Sequence, residues 1–325
     1  MQEGPTNNAD NALVQKKSMA ILLSTYNGEK FISEQIDSLL AQTYQDFHVY
    51  INDDCSTDST LEIAIGYAEA HPEKITVTQN EANSGGAKHN AISLMVRHRA
   101  DYLMLCDQDD VWMPDKIART LAKMQELEAR LGSSTPLLVH TDLEVVDASL
   151  ETIQPSFREA MNSNFSKRKL NNLIIQNITT GCTVMYNRAL ADLITAEPAF
   201  LVMHDWWLGI VASAFGHIEA VQAPTILYRQ HVENVIGARD VRTFRYKLER
   251  LKNYRDVQHA VDTTYRQAAS FLAMYADRLT SDQVRLLADY SNIPNRNKLM
   301  KWVTICRLGT FKNGIGRKIA QFLFI

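Results

Sequence analysis

The sequence predicts an α/β fold: a mostly parallel sheet flanked by helices, followed by a helical extension. Three observations carry that expectation. Short apolar runs alternate with stretches of helical apolar spacing from Met19 to Cys106. Polar clusters at residues 25–28, 52–58 and 107–110 each fall at the end of an apolar run, where sheets of this kind bind their ligands. Beyond about residue 238 the composition turns to helices rich in Arg, Lys, Leu and Tyr.

Met19 to Ser24 is an apolar strand that stops at Thr25-Tyr26-Asn27-Gly28. Glu29 to Gln42 then spaces Phe31, Ile32, Ile36, Leu39 and Leu40 along one face of a helix. Phe47 to Ile51 is the next strand, closed by Asn52-Asp53-Asp54-Cys55, and Ser56-Thr57-Asp58 reads as the cap of a helix over Thr60–Ala70. Ile75 to Thr78 returns to strand. Asn83-Ser84-Gly85-Gly86 opens a further helix, whose free N–H groups favour an anion, with Lys88 adding charge. Tyr102 to Cys106 completes the alternation, which points to a parallel sheet covered on both faces. Further along, Leu137–His140 leads into Thr141-Asp142, and Thr183–Tyr186 is strand-like. Ala199–Phe215 is helical in large part, and Ile218–Tyr228 holds one or two strands split near Pro224.

The chain has 325 residues, 46% hydrophobic and 22% charged, enough for one large domain with an appendage or for two domains. The expected division is a loose polar tail over 1–18, a catalytic domain over 19–237 and a basic amphipathic helical region over 238–325. A net charge of -3 gives no argument for nucleic acid. Cys55, Cys106, Cys182 and Cys306 are widely spaced, so a zinc site or disulfide framework is not expected and a reducing compartment fits best. No apolar run is long enough for a membrane span, and the N-terminus lacks a signal-peptide pattern. The expected location is cytoplasmic.

Asp107-Gln108-Asp109, with Asp110 behind it, follows directly on the buried run Tyr102–Cys106. Carboxylates at the exit of a buried strand are expensive to desolvate unpaired. A divalent cation resolves that conflict: Mg²⁺ or Mn²⁺ prefers hard oxygen ligands and commonly joins one or two carboxylates to substrate phosphates.

With these residues in order, the chain resembles family 2 glycosyltransferases of the GT-A (nucleotide-diphospho-sugar transferase) fold. The likeness runs from about Met19 to Asn234 through Ser24–Gly28, Asp53–Asp58, Asn83-Ser84-Gly85, Asp107-Gln108-Asp109 and His204-Asp205. The stretches Asp107–Trp112, His204–Trp207 and Tyr228-Arg229-Gln230-His231 resemble the bacterial rhamnosyltransferase branch. That resemblance implies a metal-dependent inverting enzyme using dTDP-L-rhamnose in cell-wall or surface polysaccharide synthesis, with a lipid-linked or polysaccharide acceptor. A UDP-sugar donor (glucose, galactose or an N-acetylhexosamine) is the alternative, since the motifs barely separate these donors. The Gln-x-x-Arg-Trp motif of processive synthases is absent, which favours single addition.

The resemblance also suggests residue roles. Thr25, Tyr26 and Asn27 form the base- and ribose-binding loop, and Asp53 accepts the N3–H of the pyrimidine, with Asp54 in support. Asn83 and Gly85 face the diphosphate. Asp107 and Gln108 bind the donor, Asp107 through ribose or sugar hydroxyls, while Asp109 and His231 hold Mn²⁺ or Mg²⁺. Arg229 assists at the diphosphate or pairs with a structural carboxylate. Asp205 is the general base, Trp206 offers a flat face to a sugar ring, and Asp142 is a secondary candidate.

Residues 296–325 contain seven basic side chains and no acidic ones, interleaved with apolar and aromatic residues. Such a stretch suits an anionic membrane surface; packing on the catalytic domain or a second subunit is the alternative. A homo-oligomer stays open. A dinucleotide-binding oxidoreductase is disfavoured because the first strand lacks Gly-x-Gly-x-x-Gly. A catalytically silent scaffold for polysaccharide assembly is the reading from another class.

Overall fold

The structure, a computed structural model, describes residues 17–230 and 254–325. Its centre is a nine-stranded mixed sheet. The strands are β1 (Met19–Thr25), β2 (His48–Asp53), β3 (Ile75–Gln79), β4 (Tyr102–Cys106), β5 (Val111–Trp112), β6 (Leu137–Val146), β7 (Thr152–Gln154), β8 (Val184–Asn187) and β9 (His217–Arg229). Their order is β3-β2-β1-β4-β8-β6-β9-β5, with β7 paired to β6. The first four strands are parallel, as the alternation predicts. β8 runs antiparallel to both of its neighbours, β4 and β6.

Both faces of the sheet are buried, and the two-residue period of β1 divides its side chains between them. Ala20 and Leu22 join a cluster with the helices His204–Phe215 and Tyr254–Tyr275. Met19, Ile21 and Leu23 join the opposite cluster with Ile117, Leu121 and Met124 of the helix Lys116–Leu131. That helix was not among the expected elements, although Ile117, Leu121, Met124 and Leu127 supply its apolar stripe.

Two elements differ from the sequence reading. The helix begins at His204 and leaves Ala199–Leu201 outside it. β9 is one continuous strand: its register against β6 shifts between Thr141↔Val221 and Asp142↔Pro224. Proline donates no ladder hydrogen bond, and an irregularity is where a strand tolerates it.

The C-terminal helices Tyr254–Tyr275, Ser281–Ser291 and Lys298–Leu308 pack into the first cluster. Trp207 of the sheet-side helix stacks on Phe271 and Tyr275 at centroid distances of 5.3 and 6.2 Å. The expected boundary near residue 238 lies outside the described residues.

Candidate active site

The carboxyl ends of β1, β2 and β4 open into one cleft of about 1820 Å³. The loop after β1 is held by partners distant in sequence. The Gln108 side-chain amide grips the backbone of Tyr26 at two points, accepting from its N–H at 2.8 Å and donating to its carbonyl at 2.9 Å. Gly28 leaves room for that clamp, since a Cβ there would lie 2.4 Å from Gln108 Cδ. Asn27 sits at φ 49° and accepts from Thr57 N–H at 2.8 Å, joining this loop to the one after β2. Asp58, one residue before the N-cap Ser59, accepts from Thr60 N–H at 3.0 Å at the start of the following helix. Thr25, Tyr26, Asn27 and Gln108 all line the cleft, but the Gln108 amide is committed to shaping the loop.

Asp53 is the last residue of β2, aligned between Thr25 of β1 and Gln79 of β3. Its carboxylate accepts from Thr25 Oγ1, Ser56 Oγ, Ser56 N–H and Gln79 Nε2. Four bonds fill the roughly four acceptor positions of a carboxylate, and Asp53 does not line the cleft. The adjacent Asp54 does. It accepts from Asn80 Nδ2, Ser84 N–H and Ser84 Oγ, each at 2.7 Å, which leaves an acceptor position on Oδ2 among the described residues. Of the expected pair, it is therefore Asp54 and not Asp53 that faces the cleft with an acceptor position to offer. Asn83 and Gly85 line the cleft beside Asp54, and Asn83 Nδ2 donates to the Asp54 carbonyl at 2.9 Å. Lys88 is turned elsewhere: it donates to the Leu201 carbonyl at 3.2 Å.

Beyond β4, Asp107 and Asp109 line the cleft, while Asp110 is fully buried behind them. Asp107, Asp110 and Cys182 each bring one ligand atom within 4.8 Å of the others. Asp110 accepts from Arg229 N–H at 3.2 Å through Oδ1, and its Oδ2 has no hydrogen-bond partner among the described residues. Burial, then the neighbouring Asp109, pushes the Asp107 carboxyl up to about 6, with Asp205 adding and His204 opposing. Burial, then Asp109 and Asp107, raises Asp110 well above the carboxylate range. Carboxylates this close resist ionising together, so the set fits a divalent cation. Behind them Lys116 is fully buried, 4.4 Å from the centre of the Trp112 ring, and desolvation lowers its ammonium to about 8.

Asp205 enters the same cleft from the first turn of the helix His204–Phe215. Its Oδ2 accepts from Asn177 Nδ2 at 3.0 Å and its Oδ1 from Trp206 N–H at 2.7 Å. Burial pushes its carboxyl up to about 6 against those hydrogen bonds. Gly181 permits the approach of this turn, because a Cβ there would meet His204 Nε2 at 2.9 Å. Trp206 lines the cleft with its indole N–H on the Leu173 carbonyl, whereas Trp207 belongs to the core.

Two expected residues stand differently, and a third falls outside what the structure describes. Arg229 is buried off the cleft, so it is not placed to touch the donor. Its guanidinium donates to the carbonyls of Asp109 at 3.0 Å and Ala148 at 2.5 Å, pairs with Glu34 and covers the Phe31 ring at 4.7 Å. The structural-carboxylate alternative describes it. Asp142 lines the cleft but accepts from Ser156 Oγ and Arg158 N–H at 2.5 and 3.0 Å, anchoring the segment after β7. His231 lies outside the described residues.

A further wall comes from the basic C-terminal stretch, in keeping with its alternative of packing on the catalytic domain. Lys312, Ile315, Arg317, Ile319 and Leu323, on and just before the helix Ile315–Phe324, also line the cleft. Their amphipathic spacing was legible in the sequence, but the cleft they border was not.

The chain matches the model of Glycosyl transferase family 2 over residues 20–193, more than half its length. It is 28% identical over 253 residues to the dTDP-rhamnosyl transferase RfbG of Shigella flexneri, covering 74% of this chain and 82% of that one. It is 30% identical over 135 residues to the putative glycosyltransferase EpsE of Bacillus subtilis, covering 41% of this chain and 47% of the relative. The crystal structure of S. aureus TarS 1-349 with UDP-GlcNAc shares the fold, with a TM-score of 0.53 at 16% identity over 85% of this chain and 80% of that one. The matched segment carries β1 to β4 and the loops after them that line the cleft: the chain belongs to glycosyltransferase family 2 and is a glycosyltransferase.

Proposed function

We propose that the protein is a metal-dependent inverting rhamnosyltransferase. It moves L-rhamnose from dTDP-L-rhamnose to a lipid-linked acceptor at the inner face of a membrane, in surface polysaccharide biosynthesis. The observation that carries this reading is the meeting of Asp205 with Asp107 and Asp109 in one cleft at the strand ends. The donor is suggested by the dTDP-rhamnosyl transferase relative.

In this reading the loop clamped by Gln108 receives the nucleoside, and Asp54 offers its open acceptor position to the pyrimidine N3–H. Asp107 and Asp109 line the cleft toward the diphosphate and would hold Mn²⁺ or Mg²⁺ there. When bound, that ion neutralises charge on the departing nucleoside diphosphate. Asp205 takes the acceptor hydroxyl proton as its oxygen bonds to the anomeric carbon. The bond from that carbon to the diphosphate breaks on the opposite side, and the electron pair leaves with the diphosphate. A carboxyl held near 6 is ionised at neutral pH yet more basic than an ordinary aspartate, which suits the task. Trp206 presents its ring to a sugar. No helix among the described residues is long and apolar enough to cross a membrane; the reading of peripheral attachment is supported by the basic, apolar-rich residues 296–325.

The test is calorimetry of dTDP-L-rhamnose, UDP-glucose, UDP-galactose and UDP-N-acetylglucosamine with Mn²⁺ or Mg²⁺. Tightest binding of dTDP-L-rhamnose, dependent on the metal, is expected. Preference for a UDP-sugar would replace the donor while keeping the chemistry, and binding indifferent to metal would remove the cation.

A further inference from the structure

Asn80, directly beyond β3, grips three consecutive residues at the end of β2 and in the loop after it. Its N–H donates to the Asp53 carbonyl at 2.9 Å, and its Nδ2 donates to Asp54 Oδ1 at 2.7 Å. Its carbonyl accepts from Cys55 Sγ at 3.2 Å, a residue held at φ 63° in the left-handed region. Asp54 lines the cleft and Asn80 does not.

A side-chain amide can face either way round, and at Asn80 the direction is fixed from below. Asn52 Nδ2 donates to Asn80 Oδ1 at 2.9 Å and to Asn90 Oδ1 at 2.6 Å. Asn52 Oδ1 accepts from Thr78 Oγ1 at 2.7 Å, and Asn90 Nδ2 donates to the Asn52 carbonyl at 2.9 Å. Turning the Asn80 amide over would set its oxygen against the Asp54 carboxylate and its N–H₂ against that of Asn52. Both contacts would then be repulsive. Asn52 on β2 and Asn90 on the helix Ala87–Arg97 are both buried. Apolar side chains could fill that space, whereas a buried polar network with every amide satisfied fixes a single arrangement.

That arrangement decides what Asp54 offers to the cleft. Oδ1 takes Asn80 Nδ2 and Ser84 N–H, and Oδ2 takes Ser84 Oγ, so the carboxylate meets donors only. The position left on Oδ2 is an acceptor. We infer that Asn80, oriented by Asn52, is a positioning residue that sets base selectivity, resting on the nucleotide-binding reading of the cleft proposed above. By holding Asp54 in place it favours a base with a ring N–H, as uracil and thymine carry at N3, over cytosine, whose N3 is an acceptor.

The test titrates the full chain by calorimetry, with Mn²⁺ or Mg²⁺, using UDP against CDP and dUDP against dCDP. Each pair shares its sugar and diphosphate, so the ratio of affinities isolates the edge of the ring. The wild type should favour the uracil member about 10–100-fold, the range of a hydrogen bond to a charged group. Asn80→Ala removes the donor with the side chain, and Asn80→Leu keeps the branched shape without the donor. In both variants the ratio should fall to about threefold or less, with the loss falling mainly on the uracil member. Each ratio is taken within one variant, so partial unfolding weakens both members alike and cancels. An unchanged ratio overturns the inference, whether or not both affinities fall together. Loss of the ratio in Asn80→Ala with retention in Asn80→Leu makes Asn80 a spacer and also overturns it. Equal binding of the two members by the wild type removes Asp54 from the base, and Asn80 with it. If the wild type binds none of the four nucleotides, the proposed function fails as well. Nucleotide binding with a uracil preference that the variants leave untouched keeps that function and removes only the role of Asn80.

Discussion

Replacing Asp205 by Asn should lower activity and raise stability together. The native carboxyl is pushed from 3.8 to about 6 by burial. A carboxyl whose folded value lies above its unfolded one destabilises the fold above both values, and the penalty vanishes as pH falls below the lower one. Two units and a little more correspond to about 3 kcal/mol at neutral pH. Asparagine removes that penalty but sets an amide N–H₂ against Asn177 Nδ2, or turns it on Trp206 N–H, at a cost of about 1 kcal/mol. Asn177 cannot flip freely to compensate, since its Oδ1 accepts from Thr179 N–H and Oγ1 at 3.0 and 2.8 Å. The net expectation is a variant about 1–2 kcal/mol more stable at pH 8. Removing a charge near Asp107 acts in the same direction. The advantage should shrink through pH 6 and disappear near pH 4. Urea denaturation at these three pH values measures it, while initial rates should fall about 10²–10⁴-fold with donor binding kept. A variant that is less stable at pH 8 and still turns over normally would show that the carboxylate supports the fold and not the reaction.

For the wild type, kcat/KM should rise about tenfold per pH unit up to pH 6 and then level off, as the Asp205 carboxyl ionises; a flat profile in stopped assays from pH 4.5 to 8 removes it as base. Gly28→Ala should drive its Cβ into the Gln108 amide and raise the donor KM about tenfold with kcat little changed, and Gln108→Ala should do the same by releasing Tyr26; unchanged kinetics in both refutes the clamp. Arg229→Ala should cost about 2–4 kcal/mol in urea melts by leaving the Asp109 and Ala148 carbonyls unmet, whereas loss of donor affinity in a fully stable variant would return Arg229 to the site. Asp109→Ala, or chelation of the wild type with EDTA, should abolish transfer and leave the fold intact; turnover in the chelated enzyme contradicts metal dependence.

The parts of the fold visible in the chain are those written in local periodicity. β1 to β4 and their first three helices follow from apolar residues two apart on strands and three or four apart on helices, with turn residues between. The acidic clusters were visible for the same reason: each stands directly beyond an apolar run. Which of two adjacent carboxylates faces the cleft was not visible. Asp53 closes β2 in register with Thr25 and Gln79, and both of those side chains donate to it, leaving Asp54 on the cleft. At a strand end the pleat no longer dictates the direction of the next residue, so parity alone cannot choose.

Residue types, their order and their spacing were enough for an α/β sheet, a family and a short set of acids, because those depend on neighbours along the chain. Three-dimensional packing alone settled the partners. Gln108 meets Tyr26 across 82 positions and Arg229 meets Glu34 across 195. The C-terminal helix, readable as amphipathic, became a wall of the cleft only once it was docked against Gln176 and Met161. Such pairings are set by how helices cover the sheet, and a one-dimensional pattern carries the preference of each face without the identity of what it will meet.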